Sequence, residues 1–234
     1  MTLITLALCL AFVRLGWWQW HRWQEADAAW TRFSLGADAV EPLGARSLGA
    51  VARFQRVSLS GVLDGRRQFL LDNRSYRGNP GYEVLTPLTR SDGRVLLVDR
   101  GWVPFTGSRA RLPDVSLADA TPVTLSGRVA DLPSGGLASG RAPPAAEGSW
   151  PRVTSFPDMP QLAAALGATL EPRILLLDAN APFGFVRDWQ PPGVSPLRHL
   201  SYAIQWWCFA ALAAALWAIF GLRRARAPLT RHVP

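Results

Sequence analysis

The sequence has no lysine, three histidines (His21, His199 and His232) and two cysteines (Cys9 and Cys208). Residues 24–198 contain neither histidine nor cysteine. This removes the usual transition-metal ligands and the usual general base from most of the chain, so a hydrolase or metalloenzyme has little to work with. The cysteines sit in two apolar runs at opposite ends, which excludes a disulfide framework and a CxxC redox pair. No GxSxG elbow, P-loop or GxGxxG occurs, and GLASG at residues 136–140 has its serine in the wrong place. Asp72, Asp99 and Asp178 each close a short apolar run, as turn or capping residues do. The chain is therefore expected not to be an enzyme.

Acidic residues are also few, which leaves a formal charge of +8. Residues 24–198 carry 19 arginines against 17 acidic residues, and the other six arginines all flank apolar runs. The basicity thus serves membrane topology, and nucleic acid is excluded as a partner.

The chain does have long apolar stretches. From Tyr202 to Phe220 there is no charge and Gln205 is the only strongly polar side chain, enough to cross a hydrocarbon core of roughly 30 Å as a helix. Arg223, Arg224, Arg226 and Arg231 follow at once, so that end is expected on the cytoplasmic side. Residues 2–18 form a second, shorter run, interrupted by Arg14 near its outer end, where a long side chain can snorkel. With no basic residue before Arg14 and no A-x-A site before the tryptophans, a cleaved signal peptide is not expected. Trp17, Trp18, Trp20, Trp23 and Trp30 form an interfacial belt, and residues 25–33 continue the helix.

Between the spans the pattern changes. Residues 36–49, rich in Gly, Pro and Ala, read as a linker. Residues 56–63 alternate as a half-buried strand and return nearly verbatim at 122–130, VSLSGVL against VTLSGRV, so the two are expected to pair or to hold equivalent places. Residues 82–88 and 95–102 bracket Ser91-Asp92-Gly93 and predict an antiparallel hairpin. Residues 159–166 form the one short helix of the domain, and residues 132–146 read as a mobile loop. The expected fold is an α+β membrane protein, two transmembrane helices flanking a mainly antiparallel β extracytoplasmic domain. Its boundaries are 1–23 for the first helix, 24–198 for the β-rich periplasmic domain, 199–221 for the second helix and 222–234 for the basic cytoplasmic tail.

His199, Tyr202 and Trp206, at i, i+3 and i+7, stack an imidazole, a phenol and an indole on one helical face at the outer end of the second span. The outer end of the first span carries Trp18, His21 and Arg22, and antiparallel spans bring these two ends together. Five motifs in this order resemble the surfeit-locus-one proteins, membrane factors for assembly of cytochrome c oxidase. They are LGWWQWHR at 15–22, GNPGYEVLTPL at 78–88, VLLVDRGWVP at 95–104, LLLDAN at 175–180 and HLSYAIQWW at 199–207. The resemblance implies a non-enzymatic role in maturing the oxidase large subunit, with haem a held transiently and His199 as the iron ligand. Tyr202, Trp206 and Trp18 would then wall the site, Arg22 would meet a propionate, and His21 would offer a second axial bond. It also implies the large subunit, the lipid bilayer and haem a synthase as partners. A binding-only chaperone that never touches haem is the other reading. Arg198 stands where many relatives carry an acidic or amide residue. The absence of lysine points to a bacterium with a GC-rich genome, and hence to a multi-pass protein of the bacterial inner membrane.

Overall fold

Three short apolar runs, the Asp-Gly turn and the repeated strand motif all find places in one sheet. The computed structural model describes residues 2–35, 39–117, 122–133, 142–145, 148–191 and 193–226. In chain order the elements are α1 (Thr2–Leu35), β1 (Val40–Pro42), β2 (Arg56–Leu63), β3 (Phe69–Tyr76), β4 (Asn79–Arg90), β5 (Val95–Pro104), β6 (Pro122–Ala130), β7 (Arg152–Thr154), α2 (Met159–Leu166), β8 (Leu170–Leu177) and α3 (Pro196–Arg226). They divide into two units, residues 33–190 and a helical unit of residues 1–32 with 191–234.

The domain of residues 33–190 is one eight-stranded sheet in the order β1-β2-β6-β8-β5-β4-β3-β7, with β2 also pairing with β4. That extra pairing, Gly61↔Arg90 to Leu63↔Leu88, closes β2, β4, β5, β8 and β6 into a ring. A meander of three strands, the third parallel to the last and the fourth returning to the first, is the connectivity of the five-stranded Greek-key barrel of the OB class. The repeat motifs pair with each other, as Val57↔Gly127, Leu59↔Leu125 and Gly61↔Val123. At Gly61, where β2 bends from β6 to β4, a side chain would overlap Leu88 and the Thr89 carbonyl, so the closure needs glycine there.

The barrel interior is filled by the inward residues of all five strands: Val57, Leu59 and Leu63, Leu88, Leu96 and Val98, Leu125 and Val129, Leu175 and Leu177. A second cluster lies outside the ring, where Leu162 and Leu166 of α2 cover Phe69, Leu71, Leu85, Leu97 and Ile174. The α2 helix starts on an Asp158–Gln161 capping box and stops at Gly167 in the left-handed region. The hairpin of β4 and β5 has the expected turn, with Gly93 at φ +79° and Asp92 Oδ1 accepting from the Arg94 amide.

Two expectations are corrected. The sheet is mixed, not mainly antiparallel: β1–β2, β3–β7 and β5–β8 are parallel. Two of these pairings use three-residue strands too short to show alternation. The third needs the long return through β6 and α2, which parallel neighbours require and hairpin signals do not report. The segment read as a linker is structural: β1 adds an edge strand, and Leu43 and Leu48 are buried in the barrel core. Its glycines and Pro42 hid two apolar anchors. Residues 134–141 and 146 of the expected mobile loop, and 227–234 of the tail with Arg231 and His232, lie outside the described residues.

Arg100 is a buried arginine of this domain, 3% exposed. Its Nη1 donates to Gln68 Oε1 (2.8 Å) and the Val115 carbonyl (3.1 Å), Nε donates to the Phe183 carbonyl (2.6 Å), and the guanidinium lies 4.7 Å from the Phe185 ring centroid. Burial, and then the Arg187 charge, lower its pKa to about 10. No carboxylate pairs with it in those bonds. Three segments distant in sequence are tied to one side chain instead.

Candidate functional site at the paired apolar helices

Two helices, Thr2–Ser34 and Pro196–Arg223, are long and apolar enough to cross a membrane. Within the helical unit they run antiparallel, because rising positions on one meet falling positions on the other: Cys9 Sγ donates to the Ala210 carbonyl (3.6 Å), Phe12 stacks on Trp206 (5.7 Å between centroids), and Gln19 meets His199. The seam on α3 is His199, Ala203, Trp206 and Ala210, spaced by four, three and four residues, with Ala203 fully buried. On α1 it is Cys9, Phe12, Gly16 and Gln19. Gly16 lies under the Trp207 indole so closely that a methyl group would overlap it. Small residues let the backbones approach, and aromatic rings fill the remaining space.

This seam decides where each expected site residue stands. His199 is half-buried, and its Nδ1 lies 2.8 Å from Gln19 Oε1. An amide oxygen only accepts, so Nδ1 is the donor of this hydrogen bond and Nε2 is the ring nitrogen that points away from it. Nε2 meets no hydrogen-bond partner among the described residues. Trp206 is committed to the seam, stacked on Phe12 and edge-on to Phe209 at 5.9 Å. Tyr202, 46% exposed, points away from it.

The residues expected from α1 are not brought to His199. Trp18 and His21, one and two residues from Gln19, lie off the face that Phe12, Gly16 and Gln19 define, whereas Arg22 follows Gln19 by three residues on that face, one turn further along. Trp18 and His21 line an open groove of about 790 Å³ with Ala11, Arg14, Leu15 and Trp17, and His21 rests on Trp17 at 6.1 Å. Arg22 forms an exposed ion pair with Glu25 (2.7 Å). The neighbour that sequence reasoning missed is Gln19. Its signal was present: a single amide at the wet end of an apolar run, on the helical face defined by Phe12 and Gly16. Cys208 is exposed while Cys9 faces the Ala210 carbonyl, so the two thiols do not share a site.

The barrel domain holds a second group of polar residues. Asp99, 1% exposed, accepts from the Gly101 amide at 3.0 Å, and its other oxygen has no hydrogen-bond partner among the described residues. Burial, and then the Glu83 charge, push its pKa well above the usual carboxylate range. Glu83 is raised by burial against the opposing pull of Arg74, which sits 3.0 Å away. Asp72 and Asp178 instead anchor Arg109 and Arg56.

With this geometry in view, a model described as the SURF1 family matches residues 6–211. The chain belongs to the SURF1 family. Uncharacterised SURF1-like proteins of Mycobacterium bovis and Mycobacterium tuberculosis are each 32% identical over 163 residues, which is 69% of this chain and 58% of theirs. A SURF1-like protein of Dictyostelium discoideum is 43% identical over 53 residues, 23% of this chain and 20% of its own. The match therefore spans under two thirds of the mycobacterial relatives' length.

Proposed function

We propose that this SURF1 protein is a non-enzymatic biogenesis factor of cytochrome c oxidase, which receives haem a at the outer rim of its paired helices and passes it to the oxidase large subunit. The family's link to oxidase assembly supports the broader part of this reading. The Gln19–His199 hydrogen bond carries the finer part. A histidine that ligates a metal usually donates its other ring nitrogen to an oxygen acceptor, which fixes the tautomer and raises ligand basicity, and Gln19 Oε1 fills that role here. The donor set fits one axial bond, since His21 lies out of phase with the seam. Haem a is then cargo: a single imidazole holds its iron and leaves a position that the receiving subunit's own histidines take. His199 supplies Nε2, Gln19 holds the ring, and Gly16 and Ala203 let the helices approach closely enough for the pair to form. The arginines after Phe220 support a cytoplasmic C-terminus in the inner membrane of a bacterium, with residues 24–198 in the periplasm; the large subunit and haem a synthase would meet the protein there.

The binding-only chaperone reading also has an observation behind it. Trp206 is stacked on Phe12, Trp18 lies off the seam and Arg22 is paired with Glu25, so the enclosure expected around His199 is thinner than the motif implies. Cells lacking this protein and complemented with His199→Ala separate the two. The haem reading expects the large subunit to accumulate with a deficit of haem a. Full haem a occupancy with the variant would reject it in favour of the chaperone.

A further inference from the structure

On the outer surface of the barrel three arginines from three segments converge. Arg56 of β2, Arg128 of β6 and Arg187 line a cavity of about 450 Å³ together with Thr124, Ser126 and Trp189. Every strand residue here points outward, alternating with the buried Val57, Leu125 and Val129. Two carboxylates also face the cavity. Asp178 is taken by Arg56, whose Nε and Nη2 lie 3.2 and 2.6 Å from its two oxygens, and Asp188 is exposed at the rim, accepting from Gln190. That leaves two guanidinium groups with no carboxylate among their hydrogen bonds.

Both are held rigidly and both keep donors open. Arg128 Nη1 donates to the Phe33 carbonyl (2.9 Å) with the guanidinium 4.1 Å from the Phe33 ring centroid, while Nε and Nη2 meet no acceptor among the described residues. Arg187 donates from Nε to Phe185 and from Nη1 to the Asp178 and Ala181 carbonyls, leaving Nη2. The Ser126 hydroxyl is equally without a protein partner among those residues. Burial and the neighbouring Arg56 charge lower the Arg128 pKa, the electrostatic mark of crowded like charges.

The geometry points to an oxyanion site in this cavity, selective for a phosphate group carried by a small molecule or a lipid headgroup. Open donors from Arg128 and Arg187 and the Ser126 hydroxyl line the same cavity, so that two guanidinium groups and a hydroxyl can share the several oxygens of one phosphate group. The cavity is roomier than phosphate alone, as a phosphate on a carrier requires. The site is separate from the haem reading and stands if that reading fails.

The test uses the full chain in detergent, melted in inorganic phosphate against sodium chloride of equal ionic strength. Phosphate at about ten times its Kd is expected to raise the midpoint by about 3 °C. Arg128→Gln should lose this shift. Ser126→Asp, which tethers a carboxylate among the arginines, should melt higher than the parent without phosphate and gain nothing from it. Nanodiscs with and without an anionic phospholipid identify the carrier: a lipid headgroup would protect only in the anionic discs, a soluble phosphomonoester in both. No shift beyond that of chloride, or an equal shift in Arg128→Gln, overturns the site.

Discussion

Replacing Asp99 by Asn tests whether this buried carboxyl is protonated in the folded protein. One oxygen accepts from the Gly101 amide and the other has no hydrogen-bond partner among the described residues, under the field of Glu83, whose Oε2 lies 3.0 Å from Arg74 Nε. A carboxyl whose folded pKa is raised is bound more tightly by protons in the folded state. Its contribution is fully present below the unfolded value, near 4, and is lost as pH climbs from there to the folded pKa, at about 1.4 kcal/mol per unit of elevation. Asn keeps the acceptor for Gly101 and removes the charge that burial and Glu83 both oppose. Relief of one unsatisfied buried oxygen, at about 1–3 kcal/mol, less the imperfect fit of the amide, gives a net gain of about 1–2 kcal/mol near pH 8. For a chain of this size that is a rise in Tm of about 2–8 °C. The gain should shrink toward pH 5, since the parent's acid then carries its proton. Thermal melts followed by tryptophan fluorescence at both pH values measure it. An Asn variant that melts below the parent by the same margin at pH 5 and pH 8 would refute the reasoning and mean that Asp99 is a stabilised anion.

Three further expectations follow from packing. Gly16→Val should force the helices apart at Trp207, so that a disulfide between Cys9 and Ala210→Cys, made in a Cys208→Ser background, forms readily in the parent and poorly in the variant; equal yields would contradict the seam. Arg100→Lys keeps the charge but not the fork that reaches Gln68, Val115 and Phe183, and should cost about 2–4 kcal/mol, read as a lower Tm, whereas an unchanged Tm would make the network incidental. Gly93→Val places a β-branched residue at φ +79° in the hairpin turn, with an expected loss of about 1–3 kcal/mol; a variant melting with the parent would mean that the turn readily changes type.

What could be read from residues alone was what depends on local pattern. Alternation over eight or nine residues located β2 and β6, the Asp-Gly turn located the β4–β5 hairpin, and Met159–Leu166 declared itself by its Asp158 cap and Gly167 stop. Strands of three residues carry no periodicity, so β1 and β7 stayed hidden, and with them two of the parallel pairings that make the sheet mixed. The linker's composition argued against burial, although Leu43 and Leu48 sit in the barrel core, because glycine and proline describe the backbone and not what lies beside it. At the paired helices, His199 stood out as a lone imidazole at the end of an apolar run. Its partner did not, because rotational phase between two helices is set by their packing: Gly16 under Trp207 turns Gln19 toward His199 and turns Trp18 and His21 off that face.

The central claim is that His199, held by Gln19, offers Nε2 to the iron of haem a. The most direct measurement is the visible spectrum of the detergent-purified protein after co-expression with a haem a synthesis pathway, for the parent, His199→Ala and His21→Ala. The account predicts a Soret band in the parent, its loss or sharp reduction in His199→Ala with the protein still folded, and a smaller effect in His21→Ala. A His199→Ala protein that copurifies with the parent's haem content and an unchanged spectrum would contradict it.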